Sequence, residues 1–260
     1  MNMSNNKERI DDIGFANLRL IQRPEEFCYG IDAVLLSSFA RVKKQGRVID
    51  LGTGTGIIPI ILSHKTEARE IVGIEIQPSS YQLALRNISI NNLENKLKMI
   101  NLDVKNIGDG GISETLTSIL GKGSFDAVTS NPPYVKGRGG LKNKNEAKTI
   151  ARHETTASLE DFIKSASWLL KDKGDFFLVH RPDRLVDICV LCRENNLEPK
   201  KIRFVSPSRE KGPNILLVHC VKYGNPELKF LDPLYVYNEN GEYTQEIMEI
   251  YERKVSDTSS

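Results

Sequence analysis

Two periods of apolar spacing alternate along the chain, and the order in which they appear predicts an α/β fold. Short apolar runs at 47–51, 71–75, 97–101 and 125–130 are bounded by Gly, Asn or Pro, as buried parallel strands are. Between them, 57–64, 79–92 and 112–120 carry apolar residues at helical spacing, and Tyr81, Leu83, Leu85 and Ile88 are expected to face the core. Farther on, a helix at 159–170 brings Trp168 inward, a strand runs over 174–181, and Pro182 opens a helix to about residue 194. Residues 201–206 and 214–221 flank Ser208-Arg209-Glu210-Lys211-Gly212-Pro213, which predicts a closing antiparallel hairpin with a basic tip. Near the start, 17–22 alternates polar and apolar and is expected to form a hairpin with 27–29 across the turn 23–26. Gly30 then breaks the pattern, Asp32 is expected to cap a helix, and Val34, Leu35, Leu36 and Phe39 give that helix a buried side. The aromatic tail 230–251 predicts a strand pair and a helix lying on the core. The expected division is an extension at 1–29, one main domain at 30–223 and a packed extension at 224–260.

Composition narrows this picture. With 260 residues and 39% hydrophobic content, the chain can bury one large core. The first residues, MNMSNNKERIDD, are polar, and no run approaches the length of a membrane span. A cytoplasmic monomer with no membrane association is expected. Cys28, Cys189, Cys192 and Cys220 are too scattered for a disulfide scaffold, and Cys189-Val-Leu-Cys192 lies inside a helical pattern without a second pair. Core packing is the expected role of that pair, and no metal is expected. The net charge of +2 is unevenly spread: 136–152 holds Lys136, Arg138, Lys142, Lys144, Lys148 and Arg152 against Glu146 alone, so this segment is +5 and the remainder −3.

That basic segment follows the most informative stretch, Asn131-Pro132-Pro133-Tyr134, which comes straight after the strand at 125–130. The prolines lack an N–H and stiffen the turn, leaving it rich in acceptors. A planar amine is a poor nucleophile because its lone pair is delocalised. If the Asn131 side-chain carbonyl and the Pro132 backbone carbonyl each accept one amine hydrogen, the lone pair is aimed at an incoming methyl group, with Tyr134 stacked on the ring. The same four residues could equally be a stiff turn. Upstream, the strand ending in Asp50 runs into Gly52-Thr53-Gly54-Thr55-Gly56, and Glu75 ends the next strand about 20 residues later. Spacing of GxGxG and an acid beside the turn fit an amino-acid ammonium better than a pyrophosphate, and Glu75 could hold two ribose hydroxyls. This pair suits S-adenosylmethionine, whereas Asp50 as a cap and Glu75 as a solvated strand end are the alternatives. Asp103 could accept from the cofactor's adenine amine or cap the next turn. His180 reads as a packing or hydrogen-bonding residue, and Arg181 as a phosphate contact.

Glycine turn, acid and Asn-Pro-Pro-Tyr in this order resemble the class I S-adenosylmethionine-dependent methyltransferases that modify exocyclic or amide nitrogen. The further stretches Phe27-Cys-Tyr-Gly-Ile-Asp32, Val179-His-Arg-Pro-Asp-Arg-Leu185 and Gly241-Glu-Tyr-Thr are similar to the bacterial tRNA-valine adenine-N6 methyltransferase group. The resemblance implies a Rossmann-like fold with a seven-stranded, mainly parallel sheet, an antiparallel closing hairpin and helices on both faces. It implies S-adenosylmethionine as cofactor, with Tyr29, Gly30, Asp32, Asp50, Gly52, Thr53, Gly54, Gly56, Glu75, Ile76, Asp103 and Asn131 lining its site. It implies Asn131, Pro132, Pro133 and Tyr134 as the catalytic residues and a flipped adenosine next to a tRNA anticodon as acceptor. Lys136, Arg138, Lys142, Lys144, Arg152, Arg181, Arg209 and Lys211 are the expected RNA contacts. Glutamine-amide and guanine-N2 methyltransferases share the tetrapeptide, because all present a planar amine; a cofactor-fold RNA-binding module without catalysis is the non-enzyme alternative.

Overall fold

The computed structural model describes residues 8–23, 30–108, 114–134 and 157–253. It opens with a hairpin of β1 (Arg9–Asp12) and β2 (Arg19–Gln22), paired from Arg9↔Gln22 to Asp12↔Arg19. β2 pairs with β1, a partner its alternation does not point to; 27–29, the expected partner, lies outside the described residues. β1 is mostly exposed, so its sequence carries no apolar alternation to reveal it, while β2 buries Leu20 and Ile21.

After α1 (Ile31–Phe39) the main unit runs β3 (Arg47–Leu51), α2 (Ile57–Lys65), β4 (Glu70–Glu75), α3 (Pro78–Ile90), β5 (Leu97–Asn101), α4 (Glu114–Ile119), β6 (Phe125–Ser130), α5 (Leu159–Leu169), β7 (Leu170–His180), α6 (Leu185–Glu194), β8 (Leu197–Ser206) and β9 (Ile215–Lys222). β5, β4, β3, β6 and β7 lie side by side in parallel, and β9 and then β8 close that side antiparallel to their neighbours as a hairpin. These seven strands match the expected sheet. β10 (Lys229–Phe230) and β11 (Leu234–Tyr235), two residues each, extend it to nine. Both pair in parallel with β8 and not with each other, so the expected strand pair in the tail is corrected.

Alternating side chains on each strand feed two apolar layers. Val48, Ala127, Phe177 and Val179 pack with α1, α2, α3 and α7 (Gln245–Ile250), while Ile49, Val128, Phe176 and Leu178 pack with α4, α5 and α6. Cys192 and Cys220 are buried in the second layer. Trp168 is half-buried, its indole lying 3.2 Å from where a Cβ on Gly108 would stand.

On α3 the buried face is Leu83, Ala84, Asn87 and Ile88, with Tyr81 packed against the same core; of the expected inward set Leu85 alone, 36% exposed, faces outward. The reason is Asn87, a polar residue on the inner face. Its Oδ1 accepts from Ile21 N at 2.6 Å, and its Nδ2 donates to Ile21 O at 3.2 Å and Thr55 O at 3.0 Å. Asn91, one turn on, repeats the pattern with Arg19 N at 2.8 Å and Arg19 O at 2.7 Å. The two amides stand in for a neighbouring strand along the edge of β2, so the hairpin docks on a helix.

Crossing β3 to β6, the chain reverses the direction in which it adds strands, and the carboxyl ends of these two strands form the crevice where α/β sheets bind ligands. Asn87→Ala strips partners from the buried N–H and carbonyl of Ile21 and from the part-buried carbonyl of Thr55, and is expected to lower the unfolding free energy by about 2–3 kcal/mol. Urea denaturation should show a lower midpoint at unchanged slope; a midpoint equal to the parent's would mean that the hairpin is held by its apolar side chains alone.

Candidate active site

The crevice begins with the turn after β3. Gly52, Gly54 and Gly56 have φ of 73°, 57° and 86°, a left-handed series that side chains with a Cβ adopt at a cost. A Cβ on Gly52 would stand 3.1 Å from the Phe162 ring on α5, whereas one on Gly54 would meet nothing within 4 Å. The turn is packed from below and open above. Glu75, buried at the end of β4, ties it down: Oε2 accepts from Gly54 N at 2.8 Å and Oε1 from Gln77 N at 2.7 Å.

Asp50 is fully buried on β3. Its Oδ1 accepts from Thr129 Oγ1 on β6 at 2.7 Å, while Oδ2 and the nearby Thr53 Oγ1 have no hydrogen-bond partner among the described residues. Burial, opposed by the Thr129 hydroxyl and the nearby Thr53 hydroxyl and aided by the charge of Glu75, pushes the Asp50 carboxyl up to about 7. Burial also raises Glu75 above the usual carboxylate range. Two acids thus lie under an open glycine turn, one of them with an oxygen that has no hydrogen-bond partner among the described residues. A ligand bringing an ammonium and two hydroxyls would offer them donors.

Asn131, Pro132, Pro133 and Tyr134 follow β6 directly, so the register of β6 on β3, Leu51↔Ser130, brings them beside that turn. Ser130 Oγ donates to Leu51 O at 3.0 Å and, with Thr129, fastens the two strand ends together. Tyr134 Oη lies 2.9 Å from Asp32 Oδ2 on α1 and 3.1 Å from Asn131 Oδ1. The Tyr134 ring meets His180 edge-on, centroids 5.0 Å apart at 67°. His180 Nδ1 accepts from Arg181 N at 2.8 Å; burial, followed by the Arg184 charge, lowers its pKa to about 4, so the ring is neutral at physiological pH.

Other expected residues are dispersed around this crevice. Gly30 precedes α1, and Asp32 sits in its first turn bonded to Tyr134 instead of capping it. Ile76 is 40% exposed just beyond Glu75. Asp103 caps the turn Val104–Asn106, accepting from Lys105 N at 3.0 Å. Arg181 lies exposed past the carboxyl end of β7. Because Leu216 pairs with His180, the β8–β9 tip carrying Arg209 and Lys211 stands at the same edge of the sheet. The Arg209 guanidinium lies 5.0 Å from the Tyr235 ring centroid. Tyr29, Lys136, Arg138, Lys142, Lys144 and Arg152 lie outside the described residues. Sequence reading missed Thr129, Phe162 and Asn87. Each is ordinary for its strand or helix, and its part in the site depends on a partner that is distant in the chain.

With this geometry in place, comparisons with known proteins agree on its type. A family profile for the TRM5/TYW2 methyltransferase domain matches residues 37–120. A tRNA1(Val) (adenine(37)-N6)-methyltransferase of Porphyromonas gingivalis is 28% identical over 229 residues, covering 86% of each chain. Among solved structures, a predicted O-methyltransferase of Agrobacterium tumefaciens superposes with a TM-score of 0.66 at 21% identity, covering 85% of this chain and 95% of that one. M. jannaschii TYW2, solved with AdoMet, gives 0.55 at 15% identity over 85% of this chain and 88% of that one. The fold is that of the class I methyltransferases. In sequence this methyltransferase resembles the tRNA(Val) adenine-N6 enzymes. No helix among the described residues is long and apolar enough to cross a membrane.

The buried acid gives the methyltransferase a pH signature. Asp50 titrates higher in the folded than in the unfolded chain, so between 3.8 and about 7 the folded state binds more protons. Stability of the protein without cofactor therefore falls as pH rises through that window and levels off above it. Glu75 acts in the same direction, so the comparison of parent with variant isolates Asp50. Asp50→Asn, which keeps an acceptor for Thr129, is expected to be more stable than the parent at pH 8 by about 2–4 kcal/mol and nearly equal to it at pH 4. Denaturant titrations at the two pH values check this; a gap that does not change with pH would mean that the Asp50 carboxyl is not held up by burial.

Proposed function

We propose that the protein transfers the methyl group of S-adenosylmethionine to the exocyclic N6 of an adenosine in RNA, next to the anticodon of a tRNA. What carries the reading is the juxtaposition of two half-sites: an acid-floored glycine turn after β3 and the acceptor-rich Asn131 tetrapeptide after the adjoining β6. The relatives' names point to the same acceptor.

In this reading Asp50 and the backbone of the glycine turn hold the methionine end, Asp50 Oδ2 taking the ammonium that its lone position lacks. Glu75 keeps lone pairs on both oxygens for the ribose hydroxyls while anchoring Gly54. Ile76 and Asp103 flank the adenine, and Gly30 borders the cofactor from the amino-terminal side. Bound there, the cofactor supplies an electrophilic methyl on a sulfonium. The protein's part is orientation. Asn131 Oδ1 and the Pro132 carbonyl accept the two amine hydrogens and draw the nitrogen towards a tetrahedral shape; Tyr134 covers the base. Neutral His180 supports Tyr134 without adding a positive charge beside the sulfonium. No general base is needed, because the amine becomes acidic as it gains the methyl group.

RNA is held electrostatically. Lys136, Arg138, Lys142, Lys144 and Arg152 follow the tetrapeptide in sequence, and Arg181, Arg209 and Lys211 stand at the same edge of the sheet. Incubating the protein with the cofactor and an unmodified tRNA transcript, followed by nucleoside mass spectrometry, tests the reading directly. N6-methyladenosine is the expected product; methylation of a protein glutamine with no change in the RNA would replace it.

Two variants separate chemistry from grip. Asn131→Ala is expected to lower single-turnover rate by about 10²-fold or more with cofactor affinity nearly intact, since its contact strengthens in the transition state; near-parental turnover would reduce the tetrapeptide to a turn. Reversing Arg209 and Lys211 to Glu should weaken tRNA binding and flatten the slope of log K against log salt by roughly 0.7–0.9 per lost phosphate contact. Equal slopes for parent and variant would remove the hairpin tip from the RNA path.

A further inference from the structure

Tyr134 Oη has a single proton and two acceptors within reach: the Asp32 carboxylate at 2.9 Å and the Asn131 amide oxygen at 3.1 Å. Where the proton goes decides which way the Asn131 amide can face. If the hydroxyl donates to Asn131 Oδ1, it occupies the acceptor that the target amine needs. An ionised carboxylate is the stronger acceptor, so donation to Asp32 is favoured. The Tyr134 oxygen then presents a lone pair to Asn131, and a half-turn of the amide about Cβ–Cγ, which exchanges two groups of nearly equal size, puts Nδ2 towards Tyr134 as donor. That half-turn aims Oδ1 away from Tyr134 and into the crevice.

We propose that Asp32 is a positioning residue for the acceptor: by taking the Tyr134 hydroxyl proton it makes Tyr134 an acceptor for Asn131 Nδ2 and commits Asn131 Oδ1 to the amine. The relay runs Asn131 Nδ2–H to Tyr134 Oη, and Tyr134 Oη–H to Asp32 Oδ2. The Tyr134 hydroxyl and the Asp32 carboxylate are then both paired and Asn131 Oδ1 is left for the amine, whereas donation from Tyr134 to Asn131 would occupy that oxygen. Asp32 lies in the first turn of α1, so the helix links the amino-terminal side of the crevice to the catalytic tetrapeptide. The His180 ring, edge-on to Tyr134 with centroids 5.0 Å apart, limits how far Tyr134 can swing from this arrangement.

This inference rests on the amine-methylation reading, and its test has one readout that needs no activity. A double-mutant cycle of Asp32→Asn and Tyr134→Phe is measured by single-turnover methylation of a tRNA transcript, by calorimetry with S-adenosylmethionine, and by the side-chain amide NMR signals of Asn131, assigned with Asn131→Ala. Asp32→Asn is expected to slow methyl transfer about 10-fold or more, to leave cofactor affinity within about twofold, and to shift the Asn131 amide signals. In the Tyr134→Phe background the same change should cost less than about twofold in rate and leave those signals in place, because the hydroxyl through which Asp32 acts is gone. Equal rate losses in both backgrounds, or a loss seen in cofactor affinity instead of rate, would make Asp32 a cofactor contact and overturn the relay. Amide signals that Asp32→Asn does not move would overturn it even if the parent methylates nothing, whereas a parent inactive on tRNA whose signals move as expected would overturn only the assignment of substrate.

Discussion

The hydrogen bond from Thr129 to buried Asp50 is the constraint on which the site depends. It crosses the point where the sheet changes direction, from β6 to β3, and so fixes the spacing between the strand that leads into the glycine turn and the strand that leads into Asn131. It uses one oxygen of a carboxylate that has lost its water and leaves the other unpaired. An arrangement of this kind is costly in the isolated protein, because desolvating a carboxylate without a full set of partners is unfavourable. In the proposed function a cationic group beside Asp50 Oδ2 would relieve that cost and turn part of it into affinity.

The rest of the molecule holds that crossing in place from both sides. Phe162 on α5 packs beneath Gly52, and Glu75 fastens Gly54 to the end of β4. On the other layer, Asn87 reaches from α3 to Thr55 at the same turn while gripping the backbone of β2. The amino-terminal hairpin is thereby coupled to the cofactor turn through one buried amide. A glycine-rich turn is inherently loose; here three elements from different parts of the chain restrict it without filling the space above Gly54.

The acceptor side is built on a different principle. Its groups are mostly neutral: two carbonyls, a phenol and a His180 ring kept unprotonated by burial. Neutral acceptors suit a reaction in which a weakly nucleophilic amine meets a sulfonium, because they orient the lone pair without competing for the methyl group and without repelling the cation. The sheet thus separates its charge, with Asp50 and Glu75 buried under the glycine turn and Arg209 and Lys211 exposed at the hairpin tip.

How much of this could be read from the chain depends on whether the signal was local. The parallel strands, the three-glycine turn, Asp50, Glu75 and the Asn131 tetrapeptide were legible because apolar runs, left-handed glycines and proline-stiffened turns act within a few residues. That they converge followed from strand order, which the alternation of strands and helices dictates. What the chain could not disclose were partnerships over long separations: Thr129 with Asp50, Asn87 with Ile21 and Thr55, Tyr134 with Asp32 across 102 positions. On α3 the polar Asn87 takes an inner position for the sake of a strand edge that periodicity cannot foresee, and Leu85 is left exposed. The pairing of β2 with β1 is not legible in the chain, because β1, mostly exposed, has no apolar pattern. Sequence determined which groups exist and which local turns present them; only tertiary packing decided which hydrogen-bonding partner each buried polar group received, because that choice is made among atoms brought together by the fold.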